Sequence, residues 1–321
     1  TVKQLNPFTG TEVWTVPGRS HRPMEVQGRE SHPLSIEQAT AYCTFCSTRY
    51  LETPPEKARV VQRADGTWAT LTRTKAEELF ETIAEFRRIP NLFEILSYDY
   101  WHQNYGFELP ERIADRKQAY LSSDEGRRHV QAVVATKLRA SGRSDEEIAA
   151  MSVEEQLTHA SGFFGGGHDL IVARRHFVDG ATTDTELASS GTLTVEEHRH
   201  FIDFTVSAVK SLFRVNRYAR YVAVFQNWLK PAGASFDHLH KQLVAIDEHG
   251  PQVDHELRLL AHDRSLYQRE VADLAVSERL VVAATDGAVA FAGVIGFVDL
   301  IAPHVVRRFF GARHKLVLPM S

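Results

Sequence analysis

A histidine-rich pentapeptide, His238-Leu239-His240-Lys241-Gln242, constrains the fold of this 321-residue chain more than any other stretch. In an extended backbone alternate side chains point the same way, so His238, His240 and Gln242 would share one face of a strand. Three polar side chains on one face make poor core, because each needs a buried hydrogen-bond partner. The pattern favours a functional row on a sheet, and a plain solvent-facing strand is the alternative.

The two cysteines of the chain stand close together in the order Cys43-Thr-Phe-Cys46. A single CxxC is either half of a metal site or a redox pair. A redox pair is typical of a strand-to-helix junction in a βαβ unit, and the flanking residues do not show one. Sixteen histidines favour metal and imidazole chemistry. A CxxC without a metal stays open as the alternative.

The charge balance argues against a nucleic-acid partner. Lys and Arg number 37 against 41 Asp and Glu, which gives a net charge of −4. Any phosphate chemistry must therefore depend on a few placed cations. The most apolar stretch, residues 287–298, is too short to span a bilayer, and no signal peptide is visible at the N-terminus. We expect no membrane partner and a cytoplasmic location.

The order of the predicted elements indicates an α+β fold with an antiparallel sheet. The expected strands are residues 12–16, 60–61 and 68–70 around an Asp65-Gly66 turn, 91–96, 169–173, 221–226, 243–246 and 288–300. The expected helices are residues 74–88, a helix capped by Thr194, and a helix from about Asp254. Residues 103–165 are polar and rich in helix starts, which predicts an inserted helical lobe.

A longer stretch that ends in the pentapeptide carries a family resemblance. It reads Phe225-Gln-Asn227-Trp-Leu-Lys-Pro-Ala-Gly233-Ala-Ser235-Phe-Asp-His238-Leu-His240-Lys-Gln242. This resembles the active-site motif of galactose-1-phosphate uridylyltransferases, which belong to the histidine-triad superfamily. The motif is Phe-x-Asn, a short loop, Gly-x-Ser, two residues, and His-x-His-x-Gln, and every position is occupied at the family spacing.

Other segments resemble the same family in the same order. They are Asn6-Pro-Phe-Thr-Gly with Arg19-Ser-His-Arg22-Pro, Cys43-Thr-Phe-Cys46 with Thr53-Pro-Pro-Glu56, Pro90-Asn91-Leu-Phe, and Gly167-His-Asp-Leu-Ile-Val with His176. The resemblance covers residues 1–102 and 165–250. It implies one histidine-triad-like unit over residues 1–250, interrupted by the helical lobe at about 103–165. Residues 251–321 would form a partial second half of the same kind.

The resemblance implies a role for each matching residue. His240 would attack the α-phosphorus of a nucleotide, and one ring nitrogen must be held as a donor so that the other keeps its lone pair. Gln242 and Ser235 would hydrogen-bond phosphoryl oxygens as charge builds there. The expected substrate-binding residues are Arg19 and Arg22 as phosphate clamps, Asn91 at the nucleoside or ribose, Asn227 at the phosphates, and Gly233 for close backbone approach.

The resemblance also implies a structural Zn²⁺ held by two cysteines and two histidines. Cys43, Cys46 and His238 are three of the expected ligands. The fourth is expected to be His176, at the end of the strand 169–173. His102 is its rival, because residues 93–102 mimic the same pattern of a strand followed by a histidine.

Together these features predict a nucleotidyltransferase that forms a nucleotidyl-histidine intermediate from a nucleoside diphosphate sugar or related nucleotide. The acceptor would be phosphate or a sugar phosphate. Gln242 favours transfer, because the hydrolases of the superfamily carry His at that position. The alternatives are a nucleotide-sugar phosphorylase or hydrolase, and a non-catalytic module that binds nucleotide and zinc. The relatives are dimers, which implies a homodimer here.

Overall fold

A computed structural model describes residues 2–5, 12–15, 30–227, 229, 233–270, 281–285 and 288–291. The chain divides into two compact units. One comprises Arg29–Glu248, and the other comprises Thr1–Gly28 together with His249–Ser321. The predicted division at residue 250 stays a prediction.

An antiparallel six-stranded sheet forms the centre of the unit Arg29–Glu248. Its strands are β3 (Ala58–Gln62), β4 (Trp68–Thr72), β5 (Phe86–Pro90), β6 (His168–Ala173), β7 (Tyr221–Phe225) and β8 (His240–Ile246), in the spatial order β4-β3-β5-β6-β8-β7. The predicted α+β class is confirmed. The turn at Asp65-Gly66 joins β3 to β4 as predicted, with Gln62 paired to Trp68.

The two faces of the sheet have different coverings. Helix α8 (Val195–Val215) covers one face, where Phe201 stacks on Phe86 and shares an apolar cluster with Ile171 and Leu243. Thr194 caps this helix as predicted, with Glu197 completing the capping box. The strand register places six side chains on the opposite face, which we call the site face. They are Arg87, Ile89, Leu170, Val172, His240 and Gln242.

The structure corrects the predicted helix over residues 74–88. A single 3-10 turn, Ala76–Glu78, is followed by a loop, and residues 86–90 form the buried strand β5. The charged residues of this strand are paired inside the protein. Arg88 lies 2.6 Å from Asp169, and Arg87 contacts Glu56, whose carboxylate also binds Arg59 at 2.7 Å. Buried charges persist only when they are paired in this way.

The predicted strand over residues 91–96 is also wrong. The strand ends at Pro90, and the following residues form a loop. Asn91 Oδ1 accepts a hydrogen bond from the Phe93 backbone N–H at 3.0 Å, a local turn that competes with strand pairing. The side chains of Phe93 and Ile95 are exposed. The apolar residues of this segment therefore lie on the surface of a loop.

The predicted helical lobe is confirmed between β5 and β6, although its first helix begins five residues earlier than expected. Its helices are α2 (Tyr98–Tyr105), α3 (Glu111–Leu121), α4 (Asp124–Ala140), α5 (Asp145–Ala150), α6 (Val153–Thr158) and α7 (Ser161–Gly165). Most of them pack around their own apolar cluster, which includes Val130, Val134 and Phe163. Trp101 and Phe107 belong instead to the apolar cluster that contains Phe201 of helix α8 and Ile171 of the sheet.

Lys241 is buried on the face covered by α8. Its side chain is only 4% exposed, and Nζ lies 3.8 Å from the centroid of the Phe201 ring. Burial lowers the pKa of Lys241 from 10.5 to about 7. Between pH 10.5 and 7 the unfolded chain holds a proton on this amine that the folded protein lacks. The free energy of unfolding therefore falls as the pH is lowered through this range and levels off below about pH 7.

Lys241→Met should remove the loss of stability that comes from burying this amine. We expect the free energy of unfolding to rise by about 1–4 kcal/mol at pH 7, with the difference from the wild type closing near pH 10. Urea denaturation of the variant and the wild type at pH 7 and pH 10 measures this difference in the free energy of unfolding. Lys210→Met, at an exposed position of α8, is the matched control and should change little. An equal gain at both pH values would mean that packing, and not the buried amine, is responsible.

The structure describes several short elements in the unit that comprises Thr1–Gly28 and His249–Ser321. Strands β1 (Val2–Leu5) and β2 (Glu12–Thr15) pair antiparallel, as do β9 (Val281–Thr285) and β10 (Ala288–Phe291). Helix α9 spans Pro251–His262, three residues earlier than predicted at its start. The predicted strand region from 292 to 300 and most of the predicted second half lie outside the described residues. None of the described helices is long and apolar enough to cross a membrane.

Candidate active site and metal centre

Three chain segments meet at one point. They are the CxxC loop, which follows helix α1 (Ile36–Ala41), the segment after β6, and the start of the His-x-His pair. Cys43, Cys46, His176 and His238 each offer one ligand atom there, and these atoms all lie within 4.8 Å of one another. Cys43 Sγ lies 3.3 Å from His176 Nδ1 and 3.5 Å from His238 Nδ1. Cys46 Sγ lies 3.9 Å from Cys43 Sγ. The structure thus brings together the four predicted zinc ligands.

These distances fit a tetrahedral zinc site. Zn–S bonds of about 2.3 Å and Zn–N bonds of about 2.05 Å imply sulphur–sulphur edges of about 3.8 Å and sulphur–nitrogen edges of about 3.6 Å. The two Sγ atoms are 3.9 Å apart, and the four Sγ–Nδ1 distances run from 3.3 to 3.9 Å. Soft thiolates with imidazole nitrogens are also a donor set that suits zinc. The four residues therefore fit the ion that the sequence implied.

Charge and tautomer in this group also favour a cation. The hydrogen bond between the two sulphurs lowers the pKa of Cys46 and raises that of Cys43, which favours a thiolate at Cys46. His238 Nε2 donates to the Ala173 carbonyl at 2.7 Å, which leaves the Nδ1 lone pair directed at the sulphurs. A backbone carbonyl behind a metal-binding imidazole is the usual means of fixing its orientation.

The rival histidine lies elsewhere. His102 is half-exposed on α2, where its Nδ1 lies 3.1 Å from the Phe107 carbonyl and 3.1 Å from the Glu108 carboxylate. It is not one of the residues that the structure gathers at the CxxC loop.

His240 is the first residue of β8 and lies on the site face, 5% exposed. Its Nδ1 donates to the backbone carbonyl of His238 at 2.7 Å, so Nε2 keeps its lone pair. Burial lowers the pKa of His240, which favours the neutral ring. The Phe45 ring packs against it with centroids 5.5 Å apart. The arrangement holds a neutral imidazole in one tautomer with one nitrogen available for attack.

Gln242 follows on the same face, half-buried and two residues from His240. Its Oε1 lies 3.1 Å from Nε2 of His168. Asn91, at the end of β5, places Nδ2 3.1 Å from the same ring nitrogen. The structure therefore brings Asn91 and Gln242 together around His168.

The loop between β7 and β8 holds three more predicted site residues. Asn227 is half-buried two residues after the end of β7, and Ser235 is exposed five residues before β8. Gly233 adopts φ +83°, a left-handed conformation that favours glycine. Their predicted contacts with phosphate stay predictions. Arg19 and Arg22, the two predicted phosphate clamps, lie outside the described residues.

Two residues of this site were not predicted from the sequence. Phe45, between the two cysteines, is 7% exposed and its ring lies beside those of His240 and Phe236. The sequence marks His168 only as a member of the motif that begins at Gly167, and its burial follows from the pairing of β6 with β8. An apolar residue inside a CxxC loop was the one available signal for Phe45.

Comparison with protein-family models shows which family the chain belongs to. A family model described as a domain of unknown function (DUF4921) matches residues 1–297. The chain belongs to this family. A second model, the FecCD transport family, matches residues 276–321 of this DUF4921 member. The chain is also similar, over 53 residues, to the cobalamin import system permease protein BtuC of Halobacterium salinarum, with 47% identity across 15% of this chain and 14% of the permease.

Two solved structures from Arabidopsis thaliana are similar to the chain. One is an ADP-glucose phosphorylase with bound ADP-glucose, at 16% identity and a TM-score of 0.44, covering 90% of this chain and 63% of that one. The other is a galt-like protein, at 16% identity and a TM-score of 0.45, covering 90% and 62%. The chain thus spans less than two thirds of either protein.

Proposed function

We propose that this chain is a nucleotidyltransferase that works through a covalent nucleotidyl-histidine at His240. The observation that carries the proposal is the hydrogen bond from His240 Nδ1 to the His238 carbonyl at 2.7 Å. It leaves the lone pair on Nε2 of a buried, neutral ring, and Gln242 lies two residues further along the same face. A nucleophile needs that tautomer, whereas a ring that only packs does not.

The reaction has two displacements at one phosphorus atom. In the first, His240 Nε2 attacks the α-phosphorus of a nucleoside diphosphate sugar, a P–N bond forms, and the P–O bond to the sugar phosphate breaks. The sugar phosphate leaves with the electron pair. In the second, an oxygen of phosphate or of a sugar phosphate attacks the same phosphorus, and the P–N electrons return to Nε2. The Gln242 amide would donate to a non-bridging oxygen in both steps.

The metal would have a structural role in this scheme. Bound by Cys43, Cys46, His176 and His238, zinc supplies a crosslink between three chain segments and no part of the chemistry. His238 belongs to the metal group through its side chain and to the nucleophile through its backbone carbonyl. The chain itself therefore fixes the position of His240 relative to the metal group. The homodimer and the cytoplasmic location implied by the sequence stay predictions.

Intact-mass spectrometry tests the proposal directly. Purified protein is mixed, without acceptor, with UDP-, ADP- and GDP-sugars and with the matching triphosphates. We expect acid-labile addition of one nucleoside monophosphate with at least one donor, and the mass identifies the base. Phosphate or a hexose 1-phosphate should then discharge the adduct. Discharge by water at the same rate would favour the hydrolase, and no adduct in zinc-loaded protein would leave the non-catalytic binding module.

A further inference from the structure

His168 occupies a buried position between the loop after β5 and the site face. It begins β6 and is 1% exposed. Its ring has three polar neighbours. The Ile95 backbone nitrogen lies 3.2 Å from Nδ1, while Gln242 Oε1 and Asn91 Nδ2 each lie 3.1 Å from Nε2. All three distances are in hydrogen-bond range, so the tautomer of this ring decides which bonds form.

The Ile95 contact settles the tautomer. A backbone N–H can only donate, so Nδ1 must accept and must carry the lone pair. In the neutral ring the proton is then on Nε2, and burial, which lowers the pKa of His168, keeps the ring neutral. Nε2 therefore donates, and Gln242 Oε1 is the acceptor beside it.

This bond determines which end of the Gln242 amide faces the reaction. An amide has an acceptor oxygen and a donor nitrogen of nearly equal size, and rotation by 180° exchanges them. With Oε1 bound to His168, the Nε2 hydrogens of Gln242 point away from the His168 ring. We propose that His168 is a positioning residue, which holds the Gln242 carbonyl so that the amide hydrogens meet a non-bridging oxygen on the phosphorus that His240 attacks. This inference rests on the proposed function.

Asn91 extends the same arrangement. Its Oδ1 accepts from the Phe93 backbone N–H at 3.0 Å, so Nδ2 is the group beside His168. Both Nδ2 and the ring Nε2–H are donors, so they do not bond to each other, and the Asn91 amide hydrogens are left for a substrate acceptor. Two amide donors, from β8 and from the end of β5, thus lie beside one imidazole.

The loss of His168 should act through Gln242. With Phe at this position the ring volume stays but the donor is gone, so the amide can turn its oxygen toward the phosphoryl group. We expect His168→Phe to slow formation of the nucleotidyl-histidine by about 10- to 100-fold at saturating donor, with little change in the dissociation constant of the donor. Single-turnover kinetics separate the two quantities.

A double-mutant cycle distinguishes positioning from simple structural support. In a Gln242→Ala background, His168→Phe should cause almost no further loss, because its target is gone. Ile171→Val, on the opposite face of the same strand, is the control for packing and should leave the rate unchanged. Losses that multiply in the double variant would overturn the inference and leave the proposed function standing.

An independent readout needs no activity. Imidazole ¹⁵N shifts of the protein with ¹⁵N-labelled histidine, assigned by comparison with His168→Phe, report the tautomer of His168. We expect a neutral ring protonated at Nε2. Protonation at Nδ1 would overturn the inference even if the enzyme labels normally. Wild-type protein that forms no adduct would instead overturn the proposed function and, with it, the positioning role.

Discussion

His240→Ala is expected to abolish nucleotidyl labelling of the protein. The imidazole supplies the only atom that forms the covalent bond in the proposed mechanism, and Ala leaves no nucleophile at this position. The rate of adduct formation should fall by about 10⁴-fold or more. Intact mass after incubation with the reactive donor measures it, and the binding affinity for the donor should change far less.

The matched control is His102→Ala. This histidine lies half-exposed on α2 and is not part of the metal group. It should label as fast as the wild type. If His240→Ala still carries one nucleoside monophosphate, the nucleophile is another residue, and the hydrogen bond from His240 to the His238 carbonyl serves only to order the strand.

Loss of the metal group is expected to have the second largest effect, on stability. The purified protein should hold about one zinc per chain by elemental analysis, and Cys43→Ser or His176→Ala should lower the content severalfold. Binding to the folded state alone stabilises it by about 4 kcal/mol when the ion exceeds its dissociation constant 1,000-fold. We therefore expect a chelator to lower Tm by about 8 °C or more, and zinc sulfate to restore it.

The same histidine control separates the two candidates for the fourth ligand. His102→Ala should retain the full zinc content, because its ring contacts Phe107 and Glu108 and not the cysteines. Full zinc content in His176→Ala, or none in the wild type, would contradict the proposed metal group. A lower Tm alone would not support it, because His176 is buried and its loss removes packing as well.

Local patterns predicted the strands that carry the site but not the strand that connects it to the lobe. The alternation in His238–Gln242 and the apolar run after Gly167 correspond to β8 and β6. The polarity pattern predicts a helix that includes most of β5, because Arg87 and Arg88 are of a residue type that usually faces solvent. Their partners, Glu56 and Asp169, are distant in the sequence, so nothing local could identify the charges as paired.

The candidate site was likewise predictable from the sequence only in part. Spacing and residue type were enough to propose the two cysteines and the two histidines that the structure brings together. The tautomers could not be predicted, because they depend on carbonyl and amide groups that the fold places beside each ring. The Ala173 carbonyl behind His238 and the Ile95 amide behind His168 are both backbone groups, which any residue type could supply.

The placement of the helical lobe has a consequence for how the chain folds. Residues 91–167 all lie between two strands that are direct neighbours, and the Asn91 backbone N–H donates to the His168 backbone carbonyl at 2.8 Å. Bringing those ends together as a flexible loop would carry a large closure entropy. Because most of the lobe has its own apolar cluster, it can collapse from local contacts and hold its two ends a strand spacing apart. We therefore expect the docking of a preformed insert to limit the pairing of β5 with β6, and β8, which carries the nucleophile, to join the sheet at β6 afterwards.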